Sequence, residues 1–143
     1  MVGAGTGIAP FRSFMQECEA RGEMPSRCWL FFREQRRDSD FFYEEFWKSH
    51  VEARSLYLSL AFSRDQEEKI YVQHRMWEER KKLWSWLQDG AAILVCGNAK
   101  KMAKDVDVTL VEIACMEGRM TKKQALQWIR DLHHQKRYLR DVY

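Results

Sequence analysis

The chain has 143 residues, 45% of them hydrophobic and 31% charged, which is enough for one globular domain with a core and too few for two of ordinary size. Its 24 basic and 21 acidic residues leave a net charge of only +3, too small an excess to argue for a nucleic-acid partner. No apolar run approaches the ~20 residues of a membrane helix. Cys18, Cys28, Cys96 and Cys115 are scattered, with no C-x-x-C pair and no signal peptide ahead of them, so the expectation is free thiols in a cytoplasmic protein.

The first element is a glycine-punctuated turn, Gly3-Ala4-Gly5-Thr6-Gly7-Ile8-Ala9-Pro10-Phe11-Arg12, running directly into a helical pattern. Glycines permit positive φ and close backbone approach, and the free N–H groups of a following helix attract an anion such as a pyrophosphate. Thr6 adds a hydroxyl donor, and Pro10 suits the first helical turn, where its missing N–H is not needed. The spacing is G-x-G-x-G, not the G-x-G-x-x-G of the dinucleotide fingerprint, so an ordinary strand-to-helix turn is the competing reading.

Beyond the turn, apolar runs alternate with helical patterns, as in an α/β domain with a mostly parallel sheet. Residues 28–32, 56–62, 92–96 and 138–142 read as strands; residues 11–20, 43–50, 71–87, 102–116 and 122–134 read as helices, the third with a break. Leu83, Trp84 and Leu87 form a core stripe by helical spacing. Only Met1 and Val2 precede the turn, so the first strand is expected to be cut short and the chain to be the C-terminal part of a longer protein.

At the carboxyl end of the third predicted strand, Ser63, Arg64 and Lys69 gather a hydroxyl, a guanidinium and an ammonium within seven residues. Open α/β sheets bind ligands at this edge. The set suits a phosphomonoester, with Arg64 binding two oxygens in fork geometry, Lys69 acting as a compact charge and Ser63 donating a hydrogen bond. Tyr71 can stack on a purine and Gln73 can reach polar edges, which together favour NADP over NAD. Glu34 can bind a ribose diol and favour NAD, but Arg33, Arg36 and Arg37 surround it. The competing reading of residues 63–73 is a solvated loop with Ser63 or Asp65 as helix N-cap.

Cys96-Gly97-Asn98-Ala99 closes the fourth predicted strand, where a substrate ring can approach, although a buried cysteine more often acts as a small hydrophobe. Asp105 also reads as a first-turn acid suited to the helix dipole. The chain ends in an apolar strand pattern with a terminal Tyr143, which suggests an end that is tied down. The adjacent His133 and His134 cannot form an i, i+4 metal pair, so no metal is expected. Lys100, Lys101 and Lys104 read as a solvated face.

Taken together, G-x-G-T-G-x-A-P-F-R, S-R-D-Q-x-x-K-x-Y-V-Q and C-G-x-A resemble, in order and spacing and over the whole chain, the NADPH-binding domain of diflavin reductases in the ferredoxin reductase-like superfamily. The ending R-Y-x-R-D-V-Y is most similar to the sulfite-reducing branch. The resemblance implies a three-layer Rossmann-like α/β fold with a parallel five-stranded sheet over residues 1–143. It implies that Gly3, Gly5, Thr6 and Gly7 line a pyrophosphate site. Ser63, Arg64 and Lys69 would hold the 2′-phosphate, Ile70, Tyr71, Val72 and Gln73 the adenosine side, and Asp105 a further NADP contact. Cys96 and Asp141 would lie by the nicotinamide and tune hydride transfer without a covalent bond, while Tyr143 would stack on the FAD ring.

The parent enzyme so implied passes hydride from NADPH to FAD and electrons onward through FMN. Its partners would be FAD- and FMN-binding domains of the same protein and a separate haem and iron–sulfur subunit for sulfite reduction, and the isolated chain would be inactive. The alternatives are a cytochrome-type diflavin reductase and a non-catalytic NADP-binding module. The chain departs from the family pattern at Ala4, Arg33, Gln35 and Asn98. Arg33, standing where glycine is usual, bears most directly on the shape of the pocket.

Overall fold

The computed structural model describes residues 1–97 and 100–142. Strands β1 (Val2–Ala4), β2 (Trp29–Glu34), β3 (Tyr57–Phe62), β4 (Ile93–Gly97) and β5 (Tyr138–Val142) form one sheet in the order β3-β2-β1-β4-β5. Every pairing is parallel. From β1 the chain winds outward through β2 to β3, then crosses back to the other side of β1 and continues through β4 to β5. This is the doubly wound arrangement, with its switch point between β1 and β4.

Side-chain alternation along each strand builds two cores. Trp29 and Phe31 of β2 face α4 (Val72–Glu78), α5 (Arg80–Gln88), α6 (Lys100–Glu117) and α7 (Lys122–His134), packing among Met76, Leu87, Val106 and Leu110. Leu30 and Phe32 face the opposite way, toward Phe11 and Met15 of α1 (Ala9–Arg21) and Trp47 of α3 (Glu44–Glu52). The strands are apolar on both faces because both faces are covered, which is why their sequences read as runs rather than as alternation.

The structure adjusts several element boundaries. The second strand extends past Phe32, because Arg33 and Glu34 continue the ladder opposite Ala61 and Phe62. The long third helix is two helices, parted at Glu79, whose φ of −98° and ψ of 18° leave the helical region. Trp86, not Trp84, completes the buried stripe with Leu83 and Leu87; Trp84 is half-buried and packs its ring 5.0 Å from Trp128. A short helix, α2 (Arg37–Asp40), is an element the sequence pattern did not signal. β1 has three residues where β2 has six and β4 five, yet it lies at the centre, pairing with both neighbours. No helix among the described residues is long and apolar enough to cross a membrane.

Candidate functional site

At the carboxyl ends of β1 and β2, beside the switch point, Ala4, Gly5, Thr6, Arg33, Glu34 and Gln35 line a cleft of about 310 Å³. Its floor is the turn leaving β1, a single 3₁₀ turn (Gly5–Ile8) that feeds α1, with Pro10 in the first helical turn. Gly5 takes φ of 57°, and a Cβ there would stand 2.9 Å from Glu34 Oε1. Gly3 and Gly7 do different work. A Cβ on Gly3 would press on the Phe11 ring at 3.0 Å, and one on Gly7 would stand 2.4 Å from Gly97 Cα and 2.5 Å from the Cys96 carbonyl oxygen. Gly5 and Thr6 therefore line the cleft, while Gly3 and Gly7 let the turn seat against α1 and β4.

Gly97 was not singled out from the sequence as a packing residue. Its φ of 138° and a would-be Cβ 2.9 Å from the Ala4 carbonyl oxygen make it the counterpart of Gly7. The available signal was a glycine closing the strand beside a glycine-rich turn.

The segment after β3 lies outside this lining but is bonded to it. Ser63 N–H donates to the Glu34 carbonyl at 2.9 Å and Arg64 N–H to the Gln35 carbonyl at 2.8 Å, so this segment is tied to two residues that line the cleft. Ser63 is buried and its Oγ makes only a long 3.4 Å contact with the Glu34 carbonyl. Arg64 and Lys69 are exposed and Ile70 is half-buried. Asp65 accepts from the Arg37 backbone N–H at 3.0 Å, which fixes the loop after β2 against the same segment.

Tyr71 precedes α4 and is half-buried; its backbone N–H donates to His74 Nδ1 at 3.0 Å. The Arg33 guanidinium lies over the Tyr71 ring, 5.1 Å from its centroid, within cation–π range. Val72 points into the core and is fully buried, so only its backbone is available to a ligand. Gln73 Nε2 donates to Asp105 Oδ2 at 3.4 Å, linking α4 to α6 and bringing those two predicted residues together.

Cys96 and Asp141 stand in register across β4 and β5. Cys96 is 4% exposed and packs in the apolar cluster of Ile8 and Phe11, whereas Asp141 is exposed. Burial, with the Asp141 carboxylate adding to it, pushes the Cys96 thiol above its ordinary pKa, so it remains protonated at neutral pH. Asn98 and Tyr143 lie outside the described residues.

The cleft fits a diphosphate. It offers a turn with no room for a side chain at Gly5 or Gly7, and one lining residue, Arg33, has a buried Nε with no hydrogen-bond partner among the described residues.

The oxidoreductase NAD-binding domain family matches residues 1–107. The chain is 52% identical over all its length to the sulfite reductase [NADPH] flavoprotein alpha-component of Vibrio parahaemolyticus serotype O3:K6, of which it covers 23%. It is 50% identical to the alpha-component of Bacillus subtilis strain 168 and 47% identical to that of Aliivibrio fischeri, again over its whole length and covering 24% of each. The chain thus spans about a quarter of the length of these relatives.

Proposed function

This chain belongs to the oxidoreductase NAD-binding domain family, and we propose that it is the NADPH-binding module of a flavoprotein that passes hydride to FAD and electrons onward through FMN for sulfite reduction. What supports this reading is a backbone tie at the edge of the cleft, where Ser63 and Arg64 donate to the Glu34 and Gln35 carbonyls. In this reading the tied segment carries a hydroxyl and a guanidinium suited to a 2′-phosphate, and the cleft carries a glycine turn suited to a pyrophosphate. NADP carries both groups and NAD only the second.

In this reading Ser63, Arg64 and Lys69 hold the 2′-phosphate. Each charge-assisted hydrogen bond to that phosphate contributes about 2 kcal/mol, enough for discrimination of more than tenfold. Gly3, Gly5, Thr6 and Gly7 shape the pyrophosphate seat, directly through Gly5 and Thr6 and indirectly through the other two. Ile70, Tyr71, the Val72 backbone and Gln73 border the adenosine, with Asp105 orienting Gln73.

Bound NADPH supplies a hydride from its nicotinamide ring. The residues of this chain set the surroundings of that ring at the carboxyl end of β4. Cys96 presents a neutral thiol, held so by burial, and Asp141 an exposed carboxylate that favours a ring gaining positive charge. Tyr143 is assigned to the flavin ring, which it would cover until the nicotinamide arrives. The partners are FAD- and FMN-binding domains of the same protein and a haem-bearing sulfite reductase subunit, in the cytoplasm, where Cys18, Cys28, Cys96 and Cys115 stay as thiols.

The test is a chimaera in which this chain replaces the matching segment of the Vibrio parahaemolyticus relative. NADPH should bleach its FAD absorbance far faster than NADH does. Equal rates with the two nucleotides, or no bleaching by either from a folded, flavin-loaded chimaera, would contradict the proposal.

A further inference from the structure

We propose that Arg33 binds the pyrophosphate of the dinucleotide and supplies the positive charge that the glycine turn lacks. The inference rests on the nucleotide reading above and deepens it at one residue.

Arg33 pairs in register with Ala4 of β1 on one side and Ala61 of β3 on the other, so it rises from the middle of the ligand-binding edge between two small side chains. It shares the cleft with Gly5 and Thr6, the residues of the pyrophosphate seat, and not with Ser63, Arg64 or Lys69. The Tyr71 ring lies 5.1 Å from the Arg33 guanidinium carbon, a cation–π contact that uses none of its N–H donors in a hydrogen bond. Nε is buried with no acceptor, and no carboxylate pairs with Arg33 among the described residues. A buried donor left without an acceptor is unfavourable, a penalty that an anion in the cleft would remove.

The cleft also contains an apparent obstacle. Glu34 Oε1 stands where it would touch any side chain at Gly5, and Oε2 accepts from the Gln35 N–H at 3.2 Å, so a carboxylate faces the turn. Unbalanced, that charge would repel a diphosphate. Arg33, adjacent in sequence and lining the same cleft, offsets it and leaves the helix N-terminus and the N–H groups to attract the ligand.

Calorimetric titration of the chain with ADP-ribose, which has the pyrophosphate and no 2′-phosphate, and with 2′-AMP, which has the reverse, tests the assignment. Arg33→Gly should bind ADP-ribose about tenfold more weakly and 2′-AMP as the parent chain does, with Arg33→Lys in between because it keeps charge and loses the planar fork. Unchanged ADP-ribose affinity in Arg33→Gly, or an equal loss toward 2′-AMP, would overturn it. Should Arg33→Gly not fold, as judged by its unfolding midpoint, Arg33→Gln carries the same comparison. If the parent chain binds 2′-AMP but not ADP-ribose, the Arg33 assignment alone falls; if it binds neither, the nucleotide reading falls with it.

Discussion

Gly7 and Gly97 meet back to back: a Cβ on Gly7 would lie 2.4 Å from Gly97 Cα, closer than any carbon pair can stand without displacing backbone. The contact joins the turn after β1 to the end of β4 and sets the cleft's position on the sheet. Gly7→Ala should lower stability by about 1–3 kcal/mol through overpacking and weaken nucleotide binding as the turn lifts away. Gly22→Ala is the control. Its φ of 67° carries a conformational penalty, but nothing lies within 4 Å of the added Cβ, so it should lose stability and keep binding. Denaturant melts and titrations of both variants check this; retained binding in Gly7→Ala would contradict it.

Tyr138 opens β5 with its ring almost fully buried and its hydroxyl donating to Asp107 on α6, whose other oxygen accepts from Arg140 at 2.8 Å. Burial, and then the Asp107 bond, push the Tyr138 hydroxyl far above its ordinary pKa. Tyr138→Phe should reduce unfolding free energy by about 1 kcal/mol, because Asp107 loses one donor yet keeps its arginine. An unchanged urea midpoint would show that the bond adds nothing in water.

The raised Cys96 thiol fixes a sign for the pH dependence. Below its ordinary value of 9.0 both folded and unfolded chains hold the proton and stability does not depend on this group. Above it the unfolded chain releases the proton first, so stability falls as pH rises toward the folded value. Cys96→Ala should make the decline above pH 9 shallower. The comparison with the parent chain isolates Cys96 from Tyr138, which acts in the same direction at higher pH. Cys96 should also resist iodoacetamide in the native state, and alkylation as fast as in the denatured chain would contradict its burial.

Ser63 Oγ is held only by a 3.4 Å contact, so its hydroxyl can turn to a ligand at small conformational cost. Ser63→Ala should leave the unfolding free energy within about 0.5 kcal/mol of the parent and weaken NADP⁺ several-fold while sparing NAD⁺. Equal losses toward the two nucleotides would place the hydroxyl elsewhere.

Why the sequence disclosed some of this and concealed the rest follows from particular residues. The runs Cys28 to Phe32 and Ala92 to Cys96 were legible as strands because both faces of the sheet are covered and nearly every residue is apolar. Arg33 and Glu34 were not, since two charges look like a loop until the ladder to Ala61 and Phe62 is seen. The Trp84 and Trp86 exchange turns on the break at Glu79, which resets the helical phase of α5. In the site, residue types announced phosphate chemistry, but the different duties of Gly5 and Gly7 depend on β4, some ninety residues away in the chain. Arg33 could be seen only as a departure from a pattern; its cation–π contact with Tyr71 is a tertiary fact.

Selection of NADP through its 2′-phosphate can be measured by calorimetric titration of the chain with NADP⁺ and NAD⁺ in parallel, repeated with Arg64→Ala. NADP⁺ should bind at least tenfold more tightly, and this preference should collapse in Arg64→Ala while the weaker NAD⁺ binding is unchanged. Equal affinity for the two nucleotides in the parent chain, or a preference that survives the loss of Arg64, would contradict it.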